Sequence, residues 1–233
     1  MTYTPTIYDW RDDVQPLDQF FRAGGASVAG GMTLGGASIE NPEPGGRAEL
    51  MMNFSRLALA SANLNASWTL SRILNGSVMR IRLFLPSVQI VTDAALGIVS
   101  TAGVTWSNAL PWSSGQPWRA NPSAPITAAA SKGASTFTCD MSGPGQALKI
   151  GHVIGFHVEY DFAHVVTDIA YSSANVATVT VQPPLRRALT TANQVLFRPV
   201  MLVTCANARD VADNFRWGQS MALNSAKFVE ALA

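Results

Sequence analysis

Charge is scarce in this chain. Asp, Glu, Lys and Arg together make up 13% of its 233 residues, where about a quarter is usual. Burying ionised groups is the costly event at an interface, so a surface of Ala, Ser, Thr, Asn and Gly is desolvated cheaply. Extensive subunit contacts fit that composition, and so does a weakly charged monomer. The net charge is +1 and the basic residues do not cluster, which excludes the electrostatic footprint expected of a nucleic-acid binder. Arg186 and Arg187 form the only adjacent basic pair. Cysteine is nearly absent too. Cys139 and Cys205 sit far apart, each in an expected strand, and are expected to be buried free thiols rather than a disulfide. No run approaches the roughly 20 apolar residues of a membrane span. The opening MTYTPTIYDWRDD is acidic and aromatic, unlike a signal peptide. A soluble protein made in a cytoplasm is expected.

Catalytic signatures are missing as well. The glycine pairs at 24–25, 30–31 and 35–36 have neither GxGxxG nor GxxxxGK[ST] spacing, so they are expected to mark short strands with tight turns or close backbone approach. There is no GxSxG elbow, and nothing poises either cysteine as a nucleophile. Asp12-Asp13 is an adjacent carboxylate pair, and neighbours on an extended segment point apart. No enzyme and no cofactor are expected.

What is abundant is turn chemistry, with 18 Gly and 13 Pro in a chain that is 48% hydrophobic. From Ser131 to Arg187, short β-branched and aromatic runs alternate with Gly, Pro, Ser and Asn clusters. Ala134–Cys139, His152–Val158, Val165–Ile169 and Val176–Val181 are the expected strands, and their spacing without helices predicts a small antiparallel barrel or sandwich. Upstream, Arg47–Phe54 and Ser77–Leu85 read as strands. Between them Leu57–Asn75 changes period: Leu57, Ala60, Leu64, Trp68 and Ser71 recur at three and four, and Leu70, Ile73 and Leu74 widen the stripe. Trp68, Leu64 and Leu74 are the expected helix-to-sheet contacts, and Gly76 suits the left-handed cap. Val88–Val104 gives one or two strands, and Val195–Cys205 another, with an edge or bulge at Arg198-Pro199. Tyr3–Phe21 and the tail from Asn207 read as irregular. The expected fold is mainly β: a β-sandwich with one packed helix over 1–120 and 195–233, and an inserted small β-barrel over 121–194.

Three groups are candidates for function. Trp106, Trp112 and Trp118 lie in a proline-rich loop; they either stack on sugar rings or pin the loop to the body. His152, His157, Glu159, Asp161 and His164 are the densest polar cluster, without HxH or HExxH spacing, and zinc there is the lesser reading beside a solvated hairpin face or polar groups across a subunit joint. Arg186 and Arg187 end the barrel segment, either as an intersubunit contact or as a solvated strand terminus.

Several of these passages resemble a known family. Lys132-Gly133-Ala134, Leu148-Lys149-Ile150-Gly151-His152 and Gln182-Pro183-Pro184-Leu185-Arg186-Arg187 look like a module of long-tailed phage tail proteins, and PWSSGQPW (Pro111–Trp118) is similar to the loops preceding it. Ala66-Ser67-Trp68 through Asn75-Gly76 and Arg80–Leu85 resembles the helix-then-strand passage of the tail-tube and distal-tail fold. The resemblance covers about two-thirds of the chain. It implies a structural virion protein of the tail tip, most like a distal tail protein. Such a subunit forms a homo-oligomeric ring, usually a hexamer, that joins the tail tube to hub and host-recognition proteins. Its place would be the virion tail, and the host cytoplasm before assembly. A carbohydrate-binding tail module that reads a host-surface glycan is the alternative.

Overall fold

The computed structural model describes residues 6–11, 13–24, 27–32, 38–42, 46–54, 56–57, 60–83, 123–142, 144, 146–157, 161–172, 175–213, 221–222 and 225–231. The protein is mainly β. Its larger element is a mixed six-stranded sheet, ordered β1 (Ile7–Asp9), β7 (Val78–Arg82), β14 (Val200–Cys205), β16 (Ala226–Glu230), β5 (Glu49–Asn53) and β2 (Asp18–Arg22). Only β1 and β7 among these pair in parallel. The period-two pattern of each strand decides which face is covered. Leu50 and Met52, Met79 and Ile81, Met201 and Val203, and Ala226 and Phe228 all enter one apolar core. Each fully buried side chain of this size is worth about 1.5–3 kcal/mol.

Helix α1 (Ala60–Leu74) covers that face. At about 100° per residue, Ala66, Thr69, Leu70 and Ile73 share one side, and these are the buried positions. The expected stripe is thus rotated. Leu64 is 74% exposed and Leu74 48% exposed, so neither is a core residue. Trp68 sits half-buried on the flank against Tyr8. Ala66, Leu70 and Ile73 of the helix share one core cluster with Met52, Met79 and Phe228 of the sheet. Gly76 follows the helix at φ 68°, the left-handed cap the sequence predicts.

The second element is a closed six-stranded barrel, ordered β10 (Val153–His157), β11 (His164–Tyr171), β12 (Val176–Gln182), β9 (Thr136–Asp140), β8 (Ser123–Ala128) and β13 (Gln194–Leu196). All its pairings are antiparallel, and β13 closes the ring by bonding both β8 and β10. Closure leaves no edge strand to pair with other chains. Phe137, Phe156, Phe162, Phe197, Val179 and Leu148 fill the interior. The barrel strands enter after β7 and return to β14, two neighbours in the sheet.

Several sequence expectations change. Val195–Cys205 is not one strand: the chain leaves the barrel at Leu196, bends through Arg198-Pro199 and enters the sheet at Val200. The opening segment supplies both edge strands, β1 and β2, and the tail supplies α2 (Ala208–Asp213) and the interior strand β16. Near the glycine pairs, β3 (Ser27–Met32) and β4 (Ser38–Pro42) form a hairpin-like pair. Gly24, at φ 78°, would drive any side chain into the carbonyls of Gly46 and Arg47. A two-stranded ladder of β6 (Arg56–Leu57) with β15 (Met221–Ala222) completes the described elements. The strands expected in Val88–Val104 lie outside the described residues.

Candidate functional site

The most highly organised polar site lies where barrel meets sheet. Arg186, in the turn after β12, donates through Nε to Glu230 Oε1 at 3.0 Å and through Nη2 to Glu230 Oε2 at 2.8 Å. This bidentate geometry matches the guanidinium fork to the carboxylate. Glu230 is fully buried at the end of β16, and its Oε2 also accepts from the backbone N–H of Ala48 at 3.0 Å. Arg186 Nη2 reaches the Gly46 carbonyl at 2.7 Å. One ion pair therefore ties the barrel, the segment before β5 and the last sheet strand.

A second link stands on the opposite side of β14 in the sheet order. Arg80 of β7 donates to Asp161 Oδ2 at 3.0 Å and to Asp9 Oδ1 at 3.2 Å. The Asp161 carbonyl accepts from Leu202 N–H at 2.9 Å, and the Pro199 carbonyl from Leu83 N–H at 3.0 Å. Between these links the backbones close up at Gly155. A Cβ there would lie 2.9 Å from Pro199 Cβ and 3.3 Å from the Phe162 carbonyl oxygen. Val153 and Ala163 of the barrel segment belong to the sheet's core.

His164 lies beside the junction, fully buried, with Nδ1 2.7 Å from the Pro183 carbonyl. Burial holds its pKa down to about 4; the bond to Pro183 opposes this and the charge of Arg186 adds to it. The ring is therefore neutral at neutral pH, and Nδ1 carries the hydrogen because a carbonyl only accepts. His157 is exposed at the other end of β10, opposite Gln194. Ile154, not His157, is the partner of His164, so the two rings stand about 10 Å apart along the strand. His152 lies outside β10, and its Nδ1 accepts from the Lys149 N–H at 3.1 Å. Glu159 lies outside the described residues. The barrel thus separates the histidines that a zinc site needs together, and among the described residues no three His, Cys, Asp or Glu gather.

A second cluster sits on α1 beside β1. The Arg11 guanidinium carbon lies 4.4 Å from the Trp68 ring centroid, and that of Arg72 lies 5.6 Å from Trp68 and 4.5 Å from Tyr8. Tyr8 and Trp68 meet edge to face at 5.8 Å. Arg72 also donates through Nη1 to the Tyr8 hydroxyl oxygen at 3.3 Å, so stacking and a hydrogen bond together fix its guanidinium.

Arg186 is committed within the chain, with its side chain 12% exposed, so it is a clamp between barrel and sheet rather than a solvated terminus. Arg187 stands 5.8 Å over the Phe162 ring. Trp106, Trp112 and Trp118 lie outside the described residues. Both cysteines are free thiols; Cys139 is buried as expected, whereas Cys205 is only partly buried, and burial raises the Cys139 pKa to about 12, which leaves its sulfur protonated. An open groove of about 460 Å³ runs between Ile73, Leu74 and Gly76 at the end of α1 and Cys205–Asp210. No helix among the described residues is long and apolar enough to cross a membrane.

Glu230 escaped the sequence reading, though its signal was present. In Ala226–Glu230 the residues at period two are Ala, Phe and Glu, so a carboxylate occupies an inward position and requires a buried cation. Neither the protein-family models nor the curated proteins match this chain.

Proposed function

We propose that the chain is a structural subunit of a long-tailed phage tail tip, most like a distal tail protein. Copies of it form a ring, a hexamer by the resemblance, that joins the tail tube to the hub and host-recognition proteins. In this reading the six-stranded sheet, completed to a β-sandwich with α1 against it, builds the ring wall. The barrel projects from that wall as a fixed platform for neighbouring tip proteins. Its place is the virion tail, and the host cytoplasm before assembly. The reading assigns no reaction and no cofactor.

The observation that carries this reading is the way the barrel is mounted. Its interior is filled by aromatic and aliphatic side chains, and it is fastened to the sheet by a buried bidentate ion pair, a second ion pair and a glycine-width contact. A small-molecule binder keeps a cavity lined by a few polar groups, whereas a packed body held at a fixed angle serves as a spacer or platform. Light scattering on a sizing column across a concentration series tests the proposal. A discrete ring mass is the expected result, and a monomer at every concentration overturns it.

A further inference from the structure

His164 is the one polar side chain buried in the barrel among the described residues. Its neighbour Val165 packs against the sheet's core while Val166 fills the barrel, so the ring shares the barrel side with Val166. Phe156 meets it edge to face at 5.7 Å, and the Pro183 carbonyl accepts its hydrogen bond. Pro183 opens the turn that carries the joint. Leu185 in that turn is buried and bonded to the backbones of Gly133 and Ala134, which fixes it to the barrel. Arg186 follows and reaches across to Glu230 and the Gly46 carbonyl. The histidine thus holds the barrel end of the same short turn whose other end is the clamp.

Among the described residues, few charged or titratable groups stand on the elements packed around this ring. After β12 come Arg186 and Arg187, the latter over the Phe162 ring. Before β11, Asp161 is bonded to Arg80, and on β16 Glu230 is bonded to Arg186. On β10 only His157 titrates, at the far end, and His152 precedes the strand. Asp168 of β11 is exposed, and β12 carries no charge. Both carboxylates of the joint are therefore already engaged by arginines. A proton on His164 would add a second cation facing Arg186 in dry surroundings, with no further carboxylate to match it.

A buried cation is relieved where water can enter. On the barrel side, packed rings and the ladders joining β11 to β10 and β12 close the way. On the sheet side the wall is held by ion pairs, which water can replace. We propose that His164 is the proton sensor of the barrel–sheet joint: its protonation loosens the Arg186–Glu230 clamp and frees the barrel to move on the sheet. The fixed platform becomes a mobile one in acid. Burial holds the pKa of the closed form to about 4, whereas a ring that water reaches titrates near 6.5. The open form is therefore favoured progressively as the pH falls below 6.5, by about 30-fold at pH 5 relative to pH 7.5. Opening still uncovers Val153 and Ala163, so the open form stays a minority state.

Hydrogen exchange of the full-length protein, corrected for the intrinsic pH dependence of amide exchange, tests the device. The Leu202 N–H bonds across the joint to the Asp161 carbonyl, next to Val203, which pairs with Glu230. The Val181 N–H bonds within the barrel to the Ser135 carbonyl. Between pH 7.5 and pH 5, exchange at Leu202 is expected to accelerate about 30-fold while Val181 stays protected. In His164→Asn, whose amide can still donate to the Pro183 carbonyl, the acceleration is expected to vanish. Equal acceleration at both amides means that the proton loosens the barrel itself, and it overturns the proposal. So does a Leu202 amide indifferent to pH, or an acceleration that persists in the variant. Should His164→Asn misfold, His164→Gln takes its place, and the contrast between Leu202 and Val181 in the wild type decides on its own. The sensor needs no assembly, so a wild type monomeric at every concentration overturns the ring reading and leaves this one standing.

Discussion

His164 and Glu230 are polar groups in dry surroundings, and the chain handles them in opposite ways. Glu230 is matched by a cation: its carboxylate accepts two bonds from the Arg186 guanidinium and one from a backbone N–H. His164 gives up its charge, because burial penalises the imidazolium by more than the bond to Pro183 favours it, and the nearby guanidinium adds to the penalty. The consequence is pH-dependent stability of definite sign. The folded pKa, about 4, lies below the ordinary value of 6.5, so between these values the unfolded chain binds the proton more readily. Stability from this residue is fully present above pH 6.5 and is lost as the pH falls toward 4, by roughly 3 kcal/mol in total. His164→Gln retains an N–H for the Pro183 carbonyl but does not titrate. Urea unfolding at pH 7.5, 5.5 and 4 should show the wild type losing stability more steeply than the variant, and parallel losses would refute the assignment.

At the scale of the element, α1 shows what a sequence reveals and what it withholds. The change of period from two to about 3.6, and the stop at Asn75-Gly76, located the helix and its end. Its rotation stayed hidden because apolar residues lie almost all round it. Leu64, Leu70 and Leu74 are alike in hydrophobicity, and only packing against the sheet selects among them. The short strands were missed for a related reason: β1 has three residues and β16 has one β-branched residue, so neither carries a strong local signal. The barrel strands were legible because β-branched runs alternate there with obligatory turns, including Gly133 and Gly151 at positive φ. The rotation of α1 has a direct consequence. Leu70→Ala should cost about 2–5 kcal/mol, and Leu64→Ala less than about 0.5 kcal/mol, in thermal or urea unfolding. Equal costs would place the helix on its other face.

Across the whole molecule, the question is whether sheet and barrel behave as two bodies or one. The interruption of the sheet by a barrel segment was readable from the sequence, since turn-rich β chemistry begins and ends abruptly. The joint was not, because each partner lies far from the other in the chain: Arg186 meets Glu230, Arg80 meets Asp161, and Gly155 meets Pro199. Such pairings depend on topology, which local pattern does not encode. With Val153 and Ala163 also sharing the sheet's core, opening the joint exposes apolar surface and strands a carboxylate in a dry site, so the two bodies should unfold in one transition. Arg186→Met breaks the pair and leaves Glu230 buried and unpaired, at a cost of about 3–5 kcal/mol. Adding Glu230→Leu removes that stranded charge, so the double variant should recover part of the loss even though the ion pair is gone. Calorimetry should then show one transition in the wild type, a lower one in Arg186→Met and an intermediate one in the double variant. A double variant no more stable than the single would mean that the bonds themselves, rather than the isolated charge, hold the joint.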